Sequence, residues 1–310
     1  MQRRLGTDWQ LQIRMAFTMA LLALVYLIFA EILYRAGAGI ATIAVLIGGL
    51  ALAQYYFSDR LVLLTTHAKL VAPGELPHVQ DMLARLAAMA DVPQPRLAVV
   101  RSPIPNAFAT GRDPRHAVVA VTTGLIQSLS EPELEAVLGH ELTHVRNRDM
   151  AVMAMASFFS TIAALLAQNL MWAGMWGGGL GYGGGGRRGR NGESLGMILL
   201  ASWLVYLVSF LLIAALSRYR EYAADRGSAL LTGQPSNLAS ALLRISGTMD
   251  RIPTQDLRRV QQANAMFIIP AARGREGLFE LVQTHPNLEH RLAQLRRIEL
   301  ELAGVGAHRR

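Results

Sequence analysis

The chain has 310 residues, of which 52% are hydrophobic and 17% charged, with a net charge of +8 and a mean hydropathy of +0.28. That balance is too apolar for an ordinary soluble protein and too charged for burial wholly in lipid, so the chain reads as part membrane and part soluble. It contains no cysteine, which excludes a disulfide framework and any thiolate metal ligand.

Residues 15–34 hold a single charge, Glu31, and residues 37–57 hold none. Each stretch is close to the ~20 residues that cross a hydrocarbon core. Only Arg35 and Ala36 separate them, so they form a tight helical hairpin. A secretory signal competes for the first stretch, with Arg3, Arg4 and Arg14 as its basic region, but the apolar run is too long and lacks a clear small-residue cleavage site. Glu31 and Arg35 are spaced to pair at the membrane edge.

The next ~90 residues have a different organisation. Residues 76–90 alternate as an amphipathic helix, which Pro93 and Pro95 interrupt. Residues 96–101 and 116–123 read as strands, the second ending at Gly124, with 106–110 as a further strand between them. A small sheet of this kind offers an edge on which an extended peptide can pair through its backbone. Asn106 and Phe108 are candidate substrate-binding residues there; as the alternative, Phe108 is core and Asn106 a turn residue.

Ser130, Glu131, Pro132 and Glu133 form a capping box with proline in the first turn, and Leu134, Val137, Leu138, Leu142 and Val145 follow at helical spacing. The helix they predict carries Gly139-His140-Glu141-Leu142-Thr143-His144. Residues four apart share a face, so His140 and His144 can bind one metal ion from the same side. Glu141 projects about 100° away, where it can accept a proton from a water activated by that metal. This is the geometry of a metallopeptidase. Asp149 is read as a structural residue that stabilises this helix or pairs with Arg146 or Arg148.

Two further uncharged stretches, 150–175 and 194–217, flank a glycine-rich segment, 177–186, read as a flexible connector with no phosphate-binding role. Beyond them runs Ser217-Arg218-Tyr219-Arg220-Glu221-Tyr222-Ala223-Ala224-Asp225, with two acids one helical turn apart. Glu221 can complete a three-ligand zinc site, and Asp225 can accept the outer N–H of a ligating histidine. As an isolated run it would also suit a solvated helix with surface ion pairs. His67, His78, His116, His290 and His308 stand alone and read as surface residues.

Basic residues orient the chain. Arg3, Arg4 and Arg14 before the first apolar stretch, and Arg60, Lys69, Arg146, Arg148, Arg218 and Arg220 beside the motifs, place both on the cytoplasmic side. Arg187, Arg188 and Arg190, after the glycine-rich segment, run against that rule. The net positive charge suits contact with anionic lipid headgroups. A nucleic-acid partner is not expected, because no recognition module or aromatic-interleaved basic patch accompanies the charge.

The segments His140-Glu141-Leu142-Thr143-His144, Arg220-Glu221-Tyr222-Ala223-Ala224-Asp225 and Asn106-Ala107-Phe108-Ala109-Thr110-Gly111, in this order and among these apolar stretches, resemble the HtpX-type membrane zinc metalloproteases, relatives of the CAAX prenyl proteases. The resemblance covers nearly the whole chain. It implies zinc ligation by His140, His144 and Glu221, with Glu141 as catalytic base, and a place for the Asn106–Phe108 stretch at the active site. Residues 285–291 resemble a C-terminal motif of the wider family, which makes His285 and Arg291 candidates for an oxyanion or regulatory role. The resemblance also implies membrane-protein quality control and functional cooperation with an ATP-dependent membrane protease.

The expected fold is mainly α with a small β-sheet (α+β), a multi-pass inner-membrane protein whose zincin-like domain is split around a third and fourth apolar helix. Its expected divisions are a cytoplasmic N-terminus (1–14), a transmembrane hairpin (15–57), the first part of a cytoplasmic catalytic domain (58–149), two apolar helices (150–217) and the second part of that domain (218–310). The expected activity is that of a zinc endopeptidase with one Zn2+ per chain, acting on misfolded or membrane proteins. The alternatives are a CAAX-type processing protease, which four apolar segments are too few to enclose, and a non-enzymatic zinc-stabilised scaffold, which would have no need of Glu141.

Overall fold

The computed structural model describes residues 9–35, 49, 56, 60, 62–153, 156, 168, 188–249 and 286–307. Nearly all of the second and third apolar stretches, the glycine-rich segment, Arg187, His285 and His308 lie outside the described residues.

Helix α1, Trp9–Arg35, is about 40 Å long at 1.5 Å per residue. Leu22, Tyr26 and Phe29 are buried on one face against Val205 and Leu216, while Ile13, Phe17, Leu24 and Leu27 stay exposed. A helix that is apolar on its exposed side as well suits lipid better than water. Two described helices contain stretches long and apolar enough to cross a membrane, Ile13–Glu31 and Leu200–Thr232.

The four-stranded sheet comprises β1 (Lys69–Leu70), β2 (Arg96–Val100), β3 (Ala107–Thr110) and β4 (Val118–Thr122), in spatial order β1-β2-β4-β3. Strands β2 and β4 are parallel, with Arg96 opposite Val118, whereas β1 and β3 join them antiparallel. Every residue of β4 is buried, as its unbroken Val-Val-Ala-Val run predicts for a central strand covered on both faces. The strand starts later than the sequence suggests. Asp113 accepts the backbone N–H groups of Arg115 and His116 and caps a short 3-10 turn, Pro114–His116, so His116 precedes the ladder. The two-residue β1 is too short to leave a sequence pattern.

One face of the sheet packs Leu97, Ala107, Val119 and Val121 into the main core. That core is shared with α2 (Pro77–Ala90), α3 (Thr123–Ser128), α4 (Glu131–Arg146), α6 (Pro235–Met249) and α7 (Leu288–Ala307). Val79, Met82, Leu83, Leu86 and Ala90 form the buried stripe of α2 at spacings of three and four. Leu138, Leu142, Leu238, Leu242 and Leu295 are almost wholly excluded from solvent, each contributing about 2 kcal/mol of transfer free energy. The other sheet face holds a smaller cluster of Ala98, Phe108, Val118 and Ala120 beneath Val62 and Leu63.

Helix α5, Arg188–Thr232, runs unbroken for 45 residues. The apolar stretch 194–217 and the acidic motif that follows are therefore one rod, and Arg188 and Arg190 belong to its first turn rather than to a loop. The boundary expected at 217/218 falls inside this helix.

Candidate metal centre

Helix α4 is buried on almost every side, so its polar residues are as enclosed as its leucines. Its start is fixed as the capping-box pattern predicts: the Ser130 backbone N–H and hydroxyl both donate to Glu133, at 2.9 and 2.7 Å. The other Glu133 oxygen receives the Ser240 hydroxyl and lies 2.9 Å from Arg244 Nε, which ties α4 to α6. Burial pushes the Glu133 carboxyl up, but the hydrogen bonds from Ser240 and Ser130 outweigh it and hold the carboxyl below its ordinary value.

The middle of α4 meets α5 almost backbone to backbone. Gly139 faces Ser228, whose hydroxyl donates to Ala136 O at 2.6 Å, and Gly227 faces Thr143. Small residues at these positions bring the histidine motif of α4 and the acidic motif of α5 together.

His140 Nε2 and His144 Nε2 lie 3.2 Å apart, and the two Glu221 carboxylate oxygens lie 3.6 and 3.5 Å from them respectively. All three side chains are buried, and their ligand atoms lie within 4.8 Å of one another. The opposite nitrogen of each ring has a carboxylate oxygen beside it: His140 Nδ1 is 3.0 Å from Asp225 Oδ1, and His144 Nδ1 is hydrogen-bonded to Asp149 Oδ2 at 2.6 Å. Both imidazoles therefore turn Nε2 toward Glu221. Two imidazole nitrogens and a carboxylate form a donor set that suits zinc, and they are the metal-ligating group found among the described residues.

Acidic groups dominate this enclosure. Asp149, Asp225, Glu141 and Glu221 are all buried, and the charges that answer them are Arg220 and Arg291. Burial opposes charging of His144, yet hydrogen bonds to Asp149 and Glu221 push its pKa up to about 10. His140 is raised in the same way, its burial outweighed by bonding to Asp225 and Glu221. A region that stabilises imidazolium this strongly is arranged for a cation.

Arg291 is 1% exposed and grips Asp225 with two nitrogens, Nε at 2.9 Å and Nη2 at 2.6 Å, while Nη1 reaches within 3.5 Å of Glu221. Its pKa is raised by Asp225 first, then by Glu221 and Glu141, against the cost of burial. Glu141 thus borders the same enclosure, itself 3% exposed.

The remaining candidates separate. Asn106 is buried at the entry to β3, its backbone N–H donating to Thr122 Oγ1 and its carbonyl accepting from Thr122 N, both at 2.9 Å. Phe108 points to the other sheet face, away from α4. His285 is outside the described residues, and His67, His78, His116 and His290 are exposed. Asp149 does not pair with Arg146 or Arg148 in the manner expected from its neighbours; its partners are His144 and Arg220, whose Nε lies 3.3 Å from Oδ1. Arg148 adopts φ +57° in the two-residue turn past the end of α4, and the helical segment that follows begins with Asp149, whose carboxylate lies against the histidine.

Residues 73–299 match the family described as Peptidase family M48. The chain belongs to peptidase family M48. Over 302 residues it is 56% identical to the Protease HtpX homolog of Moorella thermoacetica, covering 97% of this chain and 99% of that one. It is 51% identical to Protease HtpX homolog 2 of Methanosarcina acetivorans, covering 98% and 100%. The M48 chain also shares the fold of the crystal structure of S. mikatae Ste24p, with a TM-score of 0.54 at 18% identity, over 93% of this chain and 66% of that one. It is thus an HtpX-type M48 metalloprotease of the membrane, acting on peptide or protein substrates. His140, His144 and Glu221 are the residues that could hold the metal.

Proposed function

We propose that this protein is a membrane-bound zinc endopeptidase in which His140, His144 and Glu221 hold the metal and Glu141 is the general base. The observation that carries the reading is the paired orientation of the imidazoles, each with Nδ1 against a buried carboxylate and Nε2 toward Glu221. Zinc, when bound, supplies a Lewis acid that polarises the scissile carbonyl and lowers the pKa of water. Glu141 takes the proton from the attacking water on a carboxylate oxygen and delivers it to the leaving amine. Asp225 stands against Nδ1 of His140 and orients that ring, with Arg291 fixing the carboxylate from behind.

Edge strand β3 supports the substrate half of the proposal. It pairs with β4 on one side and lies against α4, so an extended chain adding to its other side would run beside the metal ligands. In this arrangement Asn106 shapes the entry to the edge, and Phe108 anchors the strand from the opposite face. His285 is retained as a candidate oxyanion donor.

Position relative to the membrane supports the substrate class. Glu221 lies four residues beyond the uncharged run 194–217 on the same helix, about 6 Å of rise, and the charges from Arg218 onward put the site at the bilayer surface in this reading. Membrane proteins and misfolded chains presented there are the substrates we propose, on the cytoplasmic face of the cell membrane and in quality control. Purified protein supplied with zinc should nick itself or casein and stop on addition of chelator; protein with zinc bound stoichiometrically that cleaves neither itself nor any denatured membrane protein would refute the activity.

A further inference from the structure

Asp149 and Arg220 have no part in the chemistry described so far, yet both are enclosed beside it. Asp149 is 1% exposed, and its two oxygens are divided between two partners. Oδ2 lies 2.6 Å from His144 Nδ1, and Oδ1 lies 3.3 Å from Arg220 Nε. Arg220 immediately precedes Glu221 on α5, and Glu221 Oε1 is 3.5 Å from His144 Nε2. The contacts therefore close a ring: His144, Asp149, Arg220, Glu221 and back to His144. The other histidine has a matching partner set, in which Asp225 backs His140 and Arg291 grips Asp225.

We infer that Asp149 and Arg220 are positioning residues, which fix the ring orientation of His144 and its spacing from Glu221. The inference rests on the proposed metal site. The reason is mechanical. An imidazole free to turn about its ring axis can offer either nitrogen, and an acceptor on Nδ1–H leaves the lone pair on Nε2. Asp149 lies beyond the turn at Asn147 and Arg148, at the start of the next helical segment rather than on α4 itself, so its place beside His144 is not set by α4, and Arg220 anchors it from the helix that bears Glu221. Through this clamp a displacement of α5 is passed to His144 together with Glu221, and the two ligands keep their separation. Asp149 also stands where the chain enters the stretch 150–175, and Arg220 where it leaves 194–217. The clamp thus connects both stretches directly to one metal ligand.

The test uses full-length protein in detergent micelles, stripped of metal and titrated with Co2+ against a graded chelator while the visible absorption of the bound ion is recorded. Asp149→Ala should weaken Co2+ binding by about 10- to 100-fold and alter the spectrum. Arg220→Ala should weaken it less, and Asp149→Ala combined with Arg220→Ala should bind no more weakly than Asp149→Ala alone, because Arg220 acts through Asp149. Asp149→Asn preserves volume but removes the charge that Arg220 pairs with and turns one oxygen into an NH2 group, so it cannot serve both partners, and it should also weaken binding and shift the spectrum; this variant serves if the alanine variant fails to fold. A purely structural role would lower the melting temperature of the metal-free protein and leave affinity and spectrum as in the wild type. That result, or losses from the two alanine substitutions that simply multiply, would overturn the inference. Glu221→Ala in the same titration separates the two levels: wild-type binding by Glu221→Ala removes the metal site itself, whereas its loss beside unchanged Asp149 variants removes only the clamp.

Discussion

Gly227 on α5 leaves the space that Thr143 on α4 occupies: a methyl group added at Gly227 would overlap the Thr143 side chain, whose own Cβ would be 2.9 Å away. Thr143 cannot easily withdraw, since its hydroxyl donates to Gly139 O at 2.8 Å. Gly227→Val should force α4 and α5 apart and cost about 1–3 kcal/mol through overpacking. Because the two motifs straddle this contact, it should also weaken metal binding. Thr143→Gly in the same chain should restore part of both losses. A melting temperature and metal affinity unchanged in Gly227→Val would show that the helices are not in close contact there.

Arg291 is the cation shared by Asp225 and Glu221. Arg291→Met would leave two carboxylates buried without it, a change that costs about 3–5 kcal/mol when one partner of a buried pair is removed. Arg291→Met with Asp225→Asn should be more stable than Arg291→Met alone. Thermal melts of the metal-free proteins would compare them, and a loss below about 1 kcal/mol for Arg291→Met would argue against the buried pairing.

Much of this centre is legible in the sequence because its elements obey local rules. Ser130 to Glu133 announces the start of α4, and the spacing of His140 and His144 sets a common face whatever surrounds it. Glu221 and Asp225 need only one helical turn to act together, and α5 supplies it. The rest depends on contacts that no local pattern carries. Asp149 reaches His144 through the left-handed Arg148, a conformation that neither glycine nor asparagine marks at that position. Arg291 reaches Asp225 only because α7 returns across a sequence separation of 66. Alternation along 106–110 separates Phe108 from its neighbours but does not say which side faces α4. At His116 a usable signal was present, since Asp113 followed by Pro114 marks a capped turn.

The raised pKa of His144 fixes the sign of a pH effect. In the metal-free protein the charged imidazole contributes stability that is complete below about pH 6.5 and is lost as pH rises through about 10. A metal ion replaces that proton, so affinity should increase with pH, by about tenfold per unit between about pH 7 and 9. The difference in melting temperature between metal-loaded and metal-free protein should widen over the same range. A constant difference would mean that His144 does not exchange a proton for the metal.

Orientation can be read from fusions. A reporter after Arg310 and another near Thr65 should both score as cytoplasmic, as the basic residues flanking the apolar stretches require. A reporter near Gly184 should score on the opposite side. A cytoplasmic signal there would mean that the third and fourth apolar stretches do not cross as a hairpin, and an external signal at Arg310 would overturn the orientation.

The central claim assigns the metal to His140, His144 and Glu221 and the proton transfer to Glu141, and metal content measured beside proteolysis separates the two roles. Glu141→Gln keeps all three ligands and removes the base, so it should retain one zinc per chain while casein cleavage falls by about 100-fold or more. Glu221→Ala, measured in parallel, should lose both. Zinc lost from Glu141→Gln, or activity kept by Glu221→Ala at full rate, would contradict the assignment.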